Sequence, residues 1–151
     1  MARKPVELEI YIDRSPNEVF AYLRDYSNEA KWQSDHVHEA RSEPPGPARV
    51  GTRVPKARRT PMGVKQFTVE IVEMDEAARK WTDLTINGGF RGTRGRWEVQ
   101  PQGTGSRVHL RAEMNAPGLM KMLLPLIDMS AKKALNVEFQ RLKQVLEALP
   151  S

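Results

Sequence analysis

An α+β fold is predicted: a curved antiparallel sheet covered on one face by a long C-terminal helix, with two short helices after the first strand. Three observations carry the prediction. Residues 6–13 alternate with period two, placing Val6, Leu8, Ile10 and Ile12 on one face, and residues 107–114 do the same with Val108, Leu110, Ala112 and Met114. Leu135, Phe139, Leu142, Leu146 and Leu149 recur at steps of four, three, four and three, the spacing of one helix face. Ser15-Pro16-Asn17-Glu18 combines an N-cap serine, a proline at the first helical position and a glutamate three residues after the cap. A chain of 151 residues has room for one sizeable core, so residues 1–151 are expected to form a single domain.

The capping box starts a short helix that buries Val19, Phe20 and Leu23. Ser27 or Asn28 then caps a second helix over residues 29–33, carrying Trp32. About seven strands are expected in all. Residues 37–42 and 49–55 are short candidates separated by Pro44-Pro45-Gly46-Pro47, which cannot continue a ladder. Residues 64–75 place Phe67, Val69 and Ile71 on one face. Residues 80–87 put Leu84 and Ile86 together, and Asn87-Gly88-Gly89 reads as a turn. Residues 90–100 follow, with Pro101-Gln102-Gly103-Thr104-Gly105 as a hairpin loop before the last strand. One-sided alternation through consecutive strands is the pattern of an antiparallel sheet with one covered face. Residues 118–149 supply the cover, and Pro125 should kink or split that helix near its start, because proline lacks the N–H and clashes with the preceding turn.

Composition narrows the chemistry. Apolar residues at 39% and charged residues at 28% suit a folded soluble domain. The absence of cysteine excludes disulfides, thiolate chemistry and cysteine-built metal sites. Nothing at the N-terminus resembles a secretion signal, and the most apolar stretch, residues 119–127, is far shorter than the roughly 20 residues that span a bilayer. A cytoplasmic protein is expected.

The opening residues Ile12-Asp13-Arg14-Ser15-Pro16-Asn17-Glu18-Val19-Phe20, with Leu23 and Trp32, resemble the first strand and paired small helices of the START/Bet v 1-like (SRPBCC) superfamily. The likeness is to its bacterial polyketide cyclase/dehydrase and lipid-transport group. Val50-Gly51-Thr52 is similar to that group's third strand. Trp97-Glu98-Val99-Gln100-Pro101, Gly103 and Gly105-Ser106-Arg107-Val108 resemble its penultimate hairpin. Phe139, Leu142-Lys143 and Leu146-Glu147 resemble its C-terminal helix. The resemblance implies a helix-grip fold whose concave sheet and long helix enclose a cavity suited to a lipid or polycyclic ligand. These motifs are structural, so they transfer a fold and not an activity.

On that fold the cavity walls are expected to be Trp32, Phe67, Val69, Leu84, Ile86, Trp97, Leu110, Met114, Met122 and Leu126. Met114, Met120, Met122 and Met129 gather where the last strand meets the helix, and flexible thioethers either line a pocket of variable shape or fill core. Trp97 and Val99 set a parity that brings Arg91 to the inner face. There it either pairs with a ligand carboxylate or enolate oxygen or reaches solvent beside the Gly88-Gly89 turn.

Other chemistry is thinly supported. His36 and His38 share a strand face, but a third ligand is not evident, and no metal or cofactor is expected. Asp83 and Glu70 read as isolated carboxylates, so no acid–base pair is identifiable. The net charge of +5 is concentrated: residues 41–65 hold seven basic residues against Glu43, a local +6, with Arg49, Arg53, Lys56, Arg58 and Arg59 at its centre. The stretch has no Phe, Tyr or Trp for base stacking, which argues against nucleic acid. It reads as a solvated face or as a contact for an anionic membrane surface. Binding of a hydrophobic or amphipathic small molecule is the expected function. A cyclase or dehydratase acting in the same cavity and a basic-face partner-binding module are the alternatives.

Overall fold

The computed structural model describes residues 4–33, 40–60 and 63–150. Strand β1 (Val6–Ile12) buries every second residue, as its alternation requires. Ser15 caps α1 (Pro16–Arg24): its Oγ accepts from the Glu18 amide at 3.3 Å and donates to Glu18 Oε1 at 3.1 Å. Helix α1 buries Val19, Phe20 and Leu23. Asp25 then caps a single 3-10 turn, Tyr26–Asn28, which runs into α2 (Glu29–Trp32). Five strands follow as successive hairpins: β2 (Arg53–Thr60), β3 (Gly63–Asp75), β4 (Lys80–Thr85), β5 (Arg94–Gln102) and β6 (Gly105–Glu113). A 3-10 helix, Gly118–Leu123, leads into α3 (Leu124–Glu147).

The six strands form one antiparallel sheet in the order β1-β6-β5-β4-β3-β2. About seven were expected. Of the candidate at 37–42, residues 37–39 lie outside the described residues, and the remainder leads only to an isolated bridge between Glu43 and Arg53. The candidate at 49–55 starts late, at Arg53, because the chain turns at Val50-Gly51, with Gly51 at φ +93° and the Thr52 amide donating to the Arg49 carbonyl. A register shift between Ile71 and Glu73 marks a bulge in β3, a device that bends a strand and deepens sheet curvature.

Pro125 sits in the first turn of α3, where its missing N–H is harmless, and the split expected there appears as the change from 3-10 to α-helix. The two halves of α3 differ. The C-terminal half buries Phe139, Leu142 and Leu146 and packs on β1 and α2. It is also tied to the corner after β1: Lys143 Nζ donates to the Tyr11 carbonyl at 2.9 Å, and the Asp13 amide donates to Glu147 Oε2 at 2.8 Å. In the N-terminal half Leu124 is buried, Leu135 is partly buried against the core, and Leu126 and Met129 are exposed. The helix therefore packs most closely at its C-terminal end, and much of its exposed apolar surface lies toward its start.

Candidate ligand site inside the grip

Antiparallel partners share a face, so the register fixes which side chains enter the grip. Trp81, Asp83 and Thr85 of β4 lie opposite Trp97, Gly95 and the turn residue Thr93, and opposite Met74, Ile71 and Val69 of β3. Leu110 and Leu8 continue this face to β1, and Val54, Lys56 and Arg58 continue it to β2. Its centre is aromatic. Trp97 stacks on Trp81 with 5.6 Å between ring centroids and an interplanar angle of 2°. Trp97 also lies 6.0 Å from Phe139 of α3 and 6.3 Å from Trp32 of α2. Such pairs add about 0.5–1.5 kcal/mol each beyond the area they bury.

Polar groups are set into this aromatic floor. Trp81 Nε1 donates to the Tyr26 hydroxyl at 3.2 Å, the hydroxyl donates to Asp83 Oδ2 at 3.2 Å, and Trp97 Nε1 donates to the same oxygen at 3.3 Å. Gly95 makes room for the carboxylate: a Cβ there would lie 2.6 Å from Asp83 Oδ1. Lys56 Nζ lies 2.6 Å from Glu29 Oε1, both side chains being under a tenth exposed, and 5.2 Å from the Tyr26 ring centroid. Arg58 Nη2 meets Glu138 Oε1 at 3.1 Å and links β2 to α3. Burial raises the Asp83 carboxyl above its ordinary range, Lys56 opposing and Glu29 reinforcing the shift. Burial, with Asp83 and Glu29 nearby, pushes the Tyr26 phenol well up and keeps it a donor.

Several inward residues are only partly buried: Phe67, Asp83, Trp97, Met114 and Leu135 all retain accessible surface, as residues do where sheet and helix fail to meet. A pocket of about 420 Å³ lies against the β2–β3 pair and the turn after β4, lined by residues 55–57, 66–68 and 87–88, of which Lys56 and Phe67 belong to the inner face.

The expected wall residues are distributed unevenly. Trp32, Val69 and Leu110 are buried on the inner face, and Phe67, Trp97 and Met114 are partly buried there. Leu84 is not among them. Trp81, Asp83 and Thr85 take the inward positions of β4, which turns Leu84 to the opposite face beside Thr82. Ile86 follows the end of β4, its amide donating to the Thr68 carbonyl at 2.9 Å. Met122 and Leu126 are 78% and 63% exposed, whereas Leu124 between them is buried, so the segment turns Leu124 inward and these two outward. Arg91 does not enter the grip either. Strand β5 begins only at Arg94, leaving Arg91 exposed in the preceding turn, where its carbonyl accepts from Asn115 Nδ2 at 2.8 Å.

The basic surface also needs correction. Arg49, Arg53 and Arg59 are exposed, but strand alternation turns Lys56 and Arg58 inward onto Glu29 and Glu138. Sequence reasoning missed Tyr26, Glu29 and the inward role of Asp83. The available signal was Trp81: reading β4 by its tryptophan instead of its leucine puts Asp83 inside. His36 and His38 lie outside the described residues, and among the described residues no three metal-binding side chains converge.

Comparison with known proteins agrees with this architecture. The sequence model of the family described as polyketide cyclase / dehydrase and lipid transport matches residues 4–147. No curated protein matches the sequence. Among solved structures, TTHA0849 from Thermus thermophilus is 20% identical, with a TM-score of 0.81 over 97% of this chain and 99% of that one. A START superfamily protein from Mycobacterium smegmatis is 16% identical, with a TM-score of 0.73 over 98% of this chain and all of that one. The di-domain ARO/CYC BexL from the BE-7585A biosynthetic pathway is 21% identical, with a TM-score of 0.75 over 94% of this chain and 46% of that one. At these identities the likeness is one of fold.

Proposed function

The chain belongs to the polyketide cyclase/dehydrase and lipid transport family, and on that footing we propose that it binds a hydrophobic or amphipathic small molecule between the sheet and α3. One observation carries the reading: a carboxylate that is not fully buried, Asp83, is set among aromatic rings on the face that the sheet turns toward α3. Apolar walls with a few placed polar groups are the usual composition of small-molecule sites. The ligand's apolar body would lie against Trp97, Phe67, Met114 and Leu135, and its polar end would meet Asp83. Native mass spectrometry of the purified protein, with calorimetric titration of long-chain alcohols and flat aromatics, tests this. A single saturable site supports the reading, and no binding by any of these compounds overturns it.

The exposed segment after β6 favours a membrane surface as the place where a lipid-like ligand is collected. Leu119, Met122, Leu123, Leu126 and Met129 are at least half exposed, with Lys121, Lys132 and Lys133 beside them. Apolar residues flanked by lysines suit an anionic interface. This differs from the sequence expectation, which placed membrane contact on residues 41–65. No helix among the described residues is long and apolar enough to cross a membrane.

A further inference from the structure

Resting on the proposed binding role, a narrower statement concerns the ligand's charge. The basic stretch at 41–65 suggests an anionic ligand when it is read as sequence. Inside the grip the balance is the reverse. Lys56 and Arg58, the cations that turn inward from β2, are each held by a carboxylate, Glu29 at 2.6 Å and Glu138 at 3.1 Å. Asp83 has no such cation. Its Oδ2 accepts from Tyr26 and Trp97, both neutral donors, and no described residue donates to its Oδ1. The side chain is nevertheless not sealed from solvent. Among the described residues Asp83 is thus the inward carboxylate of the sheet without a cation in ion-pair contact, and it sits at the Nε1 edge of Trp97, where a charge-assisted hydrogen bond from a cationic donor is favoured.

We infer that the site selects amphipathic molecules bearing a protonated amine, whose N–H donates to Asp83 Oδ1 while the apolar body lies along Trp97 toward Phe139. The amine supplies the counter-charge that the fold withholds, which accords with the raised carboxyl of Asp83. A ligand carboxylate would face Asp83 and Glu29 with no unengaged cation from β2 to receive it.

Three probes with the same chain and different heads test this: decylamine, decanol and decanoate, titrated calorimetrically at neutral pH into the wild type and Asp83→Asn. Asparagine keeps an acceptor for Tyr26 and Trp97, removes the charge and puts an N–H donor where Oδ1 stood. The expected order is decylamine tightest, by about tenfold over decanol, with decanoate weakest. In Asp83→Asn the preference for decylamine over decanol disappears. Should that variant fold poorly, the wild type at lower pH gives the same readout. Protonating Asp83, faced by Tyr26 of the 3-10 turn, Glu29 of α2, Lys56 of β2 and Trp97 of β5, removes the preference for decylamine over decanol. Equal affinities, or a preference for decanoate, overturn the amine inference and leave the binding role standing. Failure of all three probes to bind overturns both.

Discussion

Removing one partner of the Lys56–Glu29 pair should destabilise the fold far more than removing both. The ammonium and carboxylate are 2.6 Å apart, and the two side chains are 8% and 6% exposed. Lys56→Met takes the ammonium away from the buried Glu29 carboxylate, and Glu29→Met takes the carboxylate away from the buried ammonium. Each single change is expected to cost about 3–5 kcal/mol. At about 2–4 °C per kcal/mol for a domain of this size, that lowers the melting temperature by roughly 6–20 °C. The double variant replaces the pair with two flexible apolar chains of similar volume and should lie within about 1–2 kcal/mol of wild type. Urea denaturation of the four proteins closes the cycle, and strong coupling between the two positions is the expected result. Two single variants each costing under about 1 kcal/mol, adding simply in the double, would show the pair behaving like a surface ion pair. The interior described above would then be wrong.

Three further outcomes follow from the same geometry. Gly95→Ala drives a methyl group against Asp83 Oδ1 and Trp97 Nε1, so it should cost about 1–3 kcal/mol and shift the tryptophan emission; an unperturbed protein would refute the close packing. Asp83 titrates above its ordinary 3.8 in the folded chain, so the stability its protonated form provides is complete below that value and is lost as pH rises through the raised one. The stability of Asp83→Asn relative to wild type should therefore climb between acid and neutral pH, and a difference constant with pH would contradict the shift. Met122→Asp with Leu126→Asp should weaken binding to phosphatidylcholine vesicles containing phosphatidylglycerol while leaving the melting temperature nearly unchanged, since both side chains are exposed; unchanged sedimentation with vesicles would remove the membrane reading.

Much of the fold was legible in the sequence because it rests on local and periodic signals. The Ser15–Glu18 box, the alternation of 107–114 and the helical spacing from Leu135 onward each specify one element, and each is observed. The interior was less legible because its decisive contacts join residues far apart in sequence. Lys56 and Glu29 are 27 residues apart, Arg58 and Glu138 80 apart, and Tyr26 and Asp83 57 apart. A charge count over 41–65 cannot see that strand alternation divides that stretch between solvent and interior. Leu84 shows the same difficulty on a smaller scale. In a six-residue strand holding both Trp81 and Leu84, hydrophobicity allows either parity, and the larger aromatic prevails by packing on Phe20 and Trp97. Met122 and Leu126 look like core by composition, but Leu124 takes the buried position and leaves both of them exposed.

Calorimetric titration of decanol into the wild type and into Met114→Trp asks whether the grip holds a ligand at all. Met114 is partly buried on the inner face where β6 ends, so an indole there occupies space that the ligand would need. One saturable site in the wild type, lost or strongly weakened in a stably folded Met114→Trp, is the predicted result. Absence of saturable binding, or binding that the added indole leaves unchanged, would place the ligand elsewhere or nowhere.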